Sequence, residues 1–324
     1  MSSSRPRPTL LDVAAAAGVS KSLVSLALRG DPGVSARTRE RIFVVADQVG
    51  YRPSLTARTL KQGRSMLLGA VISSLDNPYH TEIVASVERA AEDVGLSVVL
   101  AHGSKDRGRL ADRVQQLLDL GVDGLAVVSS WVPEQVLAAA ARRAPVVMVG
   151  RTAAPVPGID SVNNDDEQGA ALVVQHLVTR GHIRIAHVTS SVRPAGLARC
   201  RGYEAAMRRA GLGGHVRVAR PDRAALDALL DEGTTAIFAR NDVEAVDVLD
   251  HALDAGLRVP ADLAVVGYDD TMLARRARPS LTSVQQQREV MGAQAVALLG
   301  QRLAGRTADV HEVLEARLVV RASS

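Results

Sequence analysis

A single cysteine, Cys200, stands in 324 residues, which excludes an intrachain disulfide and makes a reducing compartment the simpler setting. Aromatic residues make up 2% of the chain, with Trp131 the only tryptophan, so any aromatic stacking platform is thin. Lysine is nearly missing: only Lys21, Lys61 and Lys105 break the arginine bias, a compositional trait without a functional message. No apolar run approaches the ~20 residues of a membrane span. The opening Ser-Ser-Ser-Arg-Pro-Arg-Pro stretch lacks the apolar core of a secretory signal. These absences predict a cytoplasmic protein with no membrane partner. No repeat of solenoid period is visible, and no nucleophile, base and orienting group cluster in a motif. The reading is a non-enzyme with no catalytic residue, no cofactor and no metal. His182 and His187, read as lying on opposite faces of one strand, make a poor metal pair. Gly211-Leu212-Gly213-Gly214 follows a helix and reads as its stop, not as a dinucleotide fingerprint. Asp165-Asp166-Glu167 reads as the acidic start of a helix.

What is present begins at the N-terminus. Thr9 can cap a first helix, with Asp12 three residues on, and Val13, Ala16 and Ala17 recur at helical spacing. Gly18-Val19-Ser20 then makes a tight turn into a second helix, with Leu23, Val24 and Ala27 on its apolar side. Two short helices about a glycine turn suit a reader of the DNA major groove, though an ordinary helical hairpin looks the same. Charge separates the two readings. Residues 1–61 carry ten basic side chains against four acidic ones, a net +6, while the whole chain carries +4. The excess positive charge therefore sits on this small module, as binding to phosphates requires. A third helix runs from the Ser35 cap to about Val49. Residues 54–61 form one or two further turns, too short to be stable alone, and read as a hinge.

From Met66 apolar runs alternate with amphipathic stretches. Strands are predicted at 67–72, 97–101, 124–128 and 146–149, and again at 183–188, 216–219, 235–239 and 263–267, with helices between them. A last helix is predicted at about 288–304 and a last strand at about 311–320. Such alternation means parallel sheets covered by helices on both faces. Two consecutive series suggest two similar lobes with a cleft between them. In open α/β sheets, ligands bind where the loops after the strands converge. That rule nominates 76–80, 129–131, 150–152, 193–199, 240–242 and 268–270.

Short strings in this order resemble one family nearly end to end: Leu11-Asp12-Val13-Ala14, Gly18-Val19-Ser20, Pro32-Gly33-Val34-Ser35, Gly50-Tyr51-Arg52-Pro53, Ala57-Arg58 and Leu60-Lys61. Asn77-Pro78-Tyr79-His80, Gly121-Val122-Asp123-Gly124, Arg201-Gly202-Tyr203, Asn241-Asp242, Gly267-Tyr268-Asp269-Asp270 and Pro279–Val284 continue the series. The chain resembles the lactose-repressor/galactose-repressor (LacI/GalR) transcription regulators. The resemblance implies an all-α helix-turn-helix headpiece at 1–52, a hinge helix and linker at 53–65, and a two-lobed periplasmic-binding-protein-like α/β effector domain. It places the N-lobe at 66–160 and 285–308 and the C-lobe at 161–284 and 309–324. It further implies a repressor that binds palindromic operator DNA as a homodimer, or as a tetramer, and answers to a small-molecule effector.

By matching positions, Lys21, Ser22 and Leu26 read bases and Ser25 faces phosphate, with Arg29 and Arg58 adding charge. Lys21 suits guanine O6/N7 and Leu26 suits a thymine methyl. Leu23 stands where threonine is usual, either in the core or on DNA, and Arg29 where asparagine is common. Leu60 matches the hinge leucine that wedges into the minor groove, although an apolar residue there can also pack on the neighbouring lobe. For the effector, a sugar or sugar derivative, the resemblance offers Tyr79, His80, Arg193, Arg199, Asn241 and Asp269. Arg199 is suited to a two-pronged bond to vicinal hydroxyls or a carboxylate, and Asp269 and Asn241 to hydroxyls. Trp131, after the third strand, can lay its ring on a ligand. Several arginines about one cleft suit a sugar carrying negative charge. A solute receptor for a transporter, or an enzyme on the same double α/β plan, would share the lobes but not the basic headpiece.

Overall fold

The computed structural model describes residues 8–29, 31–51 and 64–324. The chain divides into two compact units between Ser65 and Met66. The first holds α1 (Leu10–Ala17), α2 (Lys21–Arg29) and α3 (Ala36–Gln48). The Asp12 carboxylate accepts the Thr9 N–H at 2.6 Å and the Thr9 hydroxyl at 2.7 Å, which fixes the start of α1. Gly18, at φ 62°, ends it in the left-handed region that a side chain disfavours. The chain then bends by 103° into α2, where the Ser20 hydroxyl accepts the Leu23 N–H at 3.1 Å. Val13, Ala14, Ala17, Val24, Ala27, Ile42 and Ala46 make the small core, and Leu23 packs half-buried against it. The structure thus places Leu23 on the core side of α2. The expected hinge helix at 54–61, with Arg58 and Leu60, lies outside the described residues, as does the Arg29 side chain.

The second unit opens with β1 (Leu67–Ile72), α4 (Pro78–Asp93), β2 (Ser97–His102), α5 (Arg107–Asp119), β3 (Gly124–Val128), α6 (Glu134–Ala141), β4 (Val146–Val149) and β5 (Asp160–Asn164). It continues with α7 (Asp166–Thr179), β6 (Ile185–Val188), α8 (Pro194–Arg209), β7 (Arg217–Ala219), α9 (Arg223–Asp231), β8 (Ala236–Ala239), α10 (Asp242–Asp254), β9 (Ala264–Asp269) and α11 (Met272–Arg276). It closes with β10 (Thr282–Gln285), α12 (Arg288–Leu303), β11 (His311–Leu314) and β12 (Arg317–Val319). One sheet, in the order β11-β5-β4-β3-β1-β2, is parallel throughout. The other, β12-β10-β9-β8-β6-β7, has only β12 antiparallel.

The apolar runs follow from burial on both faces. Along β1, Leu68, Ala70 and Ile72 pack under α4 and α12, while Leu67 and Val71 pack under α5 and α6. The second lobe repeats the scheme, with Phe238 and Tyr268 on the α7–α8 side and Ile237 and Val265 on the α9–α10 side.

Sheet membership divides the lobes at other points than expected. β5 and β11 both join the first sheet, so the boundaries at 160/161 and 308/309 move to about 165 and 315. The strand expected at 311–320 is two strands in different sheets, because the chain crosses between lobes at 315–316. β5 and β10 carry polar sequences that no hydrophobic run betrays. His182 precedes β6 and is not on that strand. The three crossings tie to one another: Asp165 N–H donates to Leu314 O at 2.8 Å, Gln287 Nε2 to Glu315 O at 3.0 Å, and Ala316 N–H to Gln168 Oε1 at 2.7 Å.

Helices α4 and α12 pack closely because Gly292 has no side chain: a Cβ there would meet Ser86 and the Val87 backbone nitrogen. Gly300, on the same helix, faces open space. Gly292→Ala is expected to lower stability by about 1–3 kcal/mol through overpacking. Gly300→Ala is expected to gain up to about 1 kcal/mol from backbone entropy. Thermal unfolding midpoints shifting in opposite directions check the pair.

Candidate functional site

Between the lobes lies a cavity of about 430 Å³. Tyr79, His80, Trp131, Arg193, Arg199, Asn241 and Asp269 all line it, carried by strand ends, by the first turns of helices and, for Trp131, by the loop after β3. These residues come from five of the six segments that the strand-end rule nominates, and Gly150 and Arg151 bring in the sixth.

Arg199, on α8 and 7% exposed, is the centre of the floor. Its Nε donates to Asp166 Oδ1 at 2.9 Å and its Nη1 to the Arg240 carbonyl at 2.7 Å. Its Nη2 lies 3.7 Å from Asp269 Oδ1, and its guanidinium carbon sits 3.6 Å from the centroid of the Tyr268 ring. Burial alone would lower its pKa, but Asp166, Tyr268 and Asp269 outweigh that and hold the charge. The two-pronged bond expected toward a ligand is thus largely directed into the protein, leaving Nη2 as the edge facing the cavity.

Asp269 ends β9 at φ 105°, a conformation L-residues rarely adopt, and its Oδ1 accepts Gln286 Nε2 at 2.6 Å. Burial raises its pKa, with Arg199, Gln286 and Arg288 pulling back. Behind it, Asp242 accepts the Thr271 N–H at 2.7 Å and the Ser283 hydroxyl at 2.5 Å. Burial and the charge of Asp269 raise its pKa too. Asn241 caps α10 by accepting the Glu244 N–H at 3.0 Å, which leaves its amide N–H₂ to donate. His80 Nδ1 lies 3.2 Å from the Ser74 carbonyl, and burial pushes the ring down to about 4, so it is neutral at physiological pH. Tyr79 is held above its ordinary pKa by burial and by Asp269, so its hydroxyl stays protonated.

Trp131 departs from its expected role. One face of its ring is covered by Arg193 from the other lobe, the guanidinium carbon 3.5 Å from the ring centroid. Other lining residues were not singled out in the sequence. Asp166, read only as a helix-start acid, is 2% exposed and pairs with Arg199, while Asp165 performs the capping by accepting the Gln168 N–H. Gln286 and Asn164 follow or end polar strands that the pattern missed. Lys105 enters the cavity wall on a strained loop, Ser104 at φ 51° and Lys105 at φ 60°, pinned by the Lys105 N–H on Ser73 O at 2.8 Å. The signal for all four is position after a strand, available once the strands are known.

In the first unit, Lys21 and Ser22 are exposed on α2, and Ser25 and Leu26 are half-buried, while Val24 and Ala27 face the core. The Lys21, Ser22 and Ser25 side therefore faces away from the other two helices. Among the described residues no group of His, Cys, Asp and Glu is placed to hold a metal ion. No single helix there is long and apolar enough to cross a membrane.

A helix-turn-helix unit followed by a two-lobed, periplasmic-binding-protein-like body defines a class of bacterial transcription regulators. The pattern for bacterial regulatory proteins of the lacI family matches residues 9–54, and that for a periplasmic binding protein-like domain matches 174–324. The ribose operon repressor of Escherichia coli (strain K12) is 34% identical over 307 residues, covering 91% of this chain and 93% of that protein. Catabolite control protein A of Priestia megaterium is 32% identical over 314 residues, covering 93% and 94%. Among solved structures, the Lac repressor dimer bound to operator and the anti-inducer ONPF matches with a TM-score of 0.85 and 29% identity over 98% of this chain and 99% of that one. The transcriptional regulator CelR–cellobiose complex matches at 0.71 and 34%, covering 98% and 100%. The chain belongs to the lacI family.

Arg199→Ala removes the shared partner of two buried carboxylates. It is expected to destabilise the protein by about 3–5 kcal/mol near neutral pH. Asp166 and Asp269 already titrate above their ordinary values through burial and would rise further. The folded state then binds more protons than the unfolded one, so stability falls as pH rises through that window. The deficit is expected to shrink from about pH 7.5 to about pH 5.5, as measured by unfolding of both proteins at each pH.

Proposed function

We propose that this chain is a ligand-responsive repressor: a homodimer that binds a palindromic operator through α2 and whose grip is set by a small sugar in the interlobe cleft. The observation that carries the reading is that one chain of this family holds both parts, an outward basic helix and a buried acid–arginine cleft. Lys21 would donate to guanine O6/N7, Ser22 to base edges and Ser25 to phosphate, while Leu26 would touch a thymine methyl. Arg29 and Arg58 would add phosphate contacts, and Leu60 would wedge into the minor groove at the operator centre. Protein of this kind would act in the cytoplasm, beside the DNA.

Within the cleft, Asp269, Asn241 and the Nη2 edge of Arg199, only loosely paired with Asp269, offer an acceptor, a donor and a charged donor, the set that fixes a polyhydroxylated ring. At the floor of the cleft the arginines favour hydroxyls over an anionic group, which moves the reading away from the negatively charged sugar expected from the sequence. Arg199 is already matched by Asp166 and Asp269, and Arg240 Nη2 lies 2.5 Å from Glu244 Oε1. Names of relatives support the class, since one is a ribose operon repressor and another was solved with cellobiose. Tyr79 and His80 would border the ring as neutral hydrogen-bonding groups.

Purified protein should bind DNA from its own upstream region in preference to scrambled DNA, with affinity falling steeply as salt rises. Equal affinity for both under every sugar condition would sink the proposal. Asp269→Ala should keep DNA binding while the response to sugar is lost, read by fluorescence anisotropy of labelled operator. Leu60→Ala should weaken operator binding more than non-specific binding, narrowing their ratio by on the order of tenfold.

A further inference from the structure

The 430 Å³ cavity does not end the cleft. A second cavity of about 860 Å³ adjoins it, and Ser130, Arg151, Val192 and Arg193 line both. Trp131 lines only the inner one. Those four residues form the partition between the two chambers, and Trp131 of the first lobe braces it from the inner side by stacking on Arg193 of the second at 3.5 Å.

The arginines around the cleft differ in how they are held. Arg199 is fixed by Asp166 and the Arg240 carbonyl, Arg240 by Glu244, and Arg288 by Glu82 and the Asp270 carbonyl. Arg151 keeps a looser pairing with Glu167, at 3.9 Å. Arg193 has no carboxylate partner among the described residues, and its Nε is buried without a hydrogen bond. The flat face of Trp131 is the one directional anchor of its side chain among the described residues. Such a contact is non-covalent, modest in strength and indifferent to rotation of the guanidinium in its plane, so it is the element of this wall most easily displaced.

We propose that Arg193, stacked on Trp131, is a gate that splits the cleft and sets effector length: closed, the inner chamber takes one sugar ring, and a second ring or a bulky aglycone is admitted only when the gate swings away. The inference rests on the sugar reading above and adds to it a size limit and the residue that imposes it. The inner chamber, at 430 Å³, is half the size of the outer one at 860 Å³, so a ligand seated on the floor gains most of its room for a second ring only past the partition.

Trp131 is the only tryptophan, so its emission reports the gate directly. Acrylamide quenching of the unliganded full chain tests the partition without any ligand. Arg193→Ala should raise the quenching constant, and Arg193→Lys should fall between, because lysine keeps the charge and loses the flat stack. Ribose, glucose, galactose, cellobiose and the p-nitrophenyl glycosides of glucose and galactose are then titrated by thermal shift. Wild type should favour a single ring over the matching longer glycoside, and Arg193→Ala should improve binding of the longer one by on the order of tenfold. Unchanged quenching in Arg193→Ala, or wild-type protein binding a disaccharide as tightly as its monosaccharide, overturns the gate. A quenching difference with no response to any sugar supports the partition and counts against the sugar reading instead.

Discussion

Removing Arg199 from water is the constraint on which the ligand-binding lobe is arranged. An isolated buried guanidinium is untenable, so its neighbours must supply negative charge, acceptors and a ring face together. Asp166 and Asp269 provide the charge, the Arg240 carbonyl an acceptor and Tyr268 the face. Each demand propagates. Tyr268 reaches this place only because Gly169 has no side chain where the phenol lies, and α8 meets α7 only because Gly202 lies against the Glu167 backbone. Asp269 must hold a left-handed backbone to turn its carboxylate inward, a strain that Gln286 and the buried surroundings sustain. Three elements distant in sequence are thereby fixed to one ion.

Because that ion is matched within the protein, the floor of the cleft offers polarity without much net charge. Its hydrogen-bonding edges are rigid, and the groups that hold them are locked in turn, as when Asp242 orders the loop at Thr271. Preorganised donors and acceptors of this kind lose little entropy on binding, which favours a small, hydroxyl-rich ligand over a floppy one. The cations left loosely held, Arg193 and Lys105, stand at the walls and not at the floor.

How much of this was legible in the sequence depended on which strands were visible. Strands buried on both faces announce themselves as apolar runs, and 67–72, 124–128 and 146–149 are such runs. β5, reading Asp-Ser-Val-Asn-Asn, and β10, reading Thr-Ser-Val-Gln, are just as buried and give no such signal. Their side chains are polar because they pair with buried groups of their own lobes: Asp160 receives Arg302 and Arg306, and Ser283 joins Asp242. Missing those two strands concealed Asp166 and Gln286, the residues that follow them. Residues carried by the family resemblance, such as Asp269 and Asn241, needed no strand assignment. The Arg193–Trp131 contact had no signal at all, since two lobes meet there through tertiary geometry alone.

The three crossings also determine how the lobes can move. Hydrogen-bonded to one another at Asp165, Glu315 and Ala316, they act as a narrow strap about which each sheet stays rigid. Apart from the buried Arg288 Nη2, which donates to the Asp270 carbonyl at 2.7 Å beside the strap, the polar contacts that bridge the lobes are few: Glu82 with the Met272 N–H at 3.2 Å, Arg151 with Glu167, and Arg193 on Trp131. Partly exposed contacts of this kind are worth about 1 kcal/mol or less each. Two arrangements of the lobes that differed only in contacts of this kind would lie close in energy, and a ligand would need only a modest preference for one of them to change the populations. A deep, permanently closed cleft would bind more tightly and signal less. Weak closure over a rigid floor is the condition under which occupancy of such a cavity would become a change of shape.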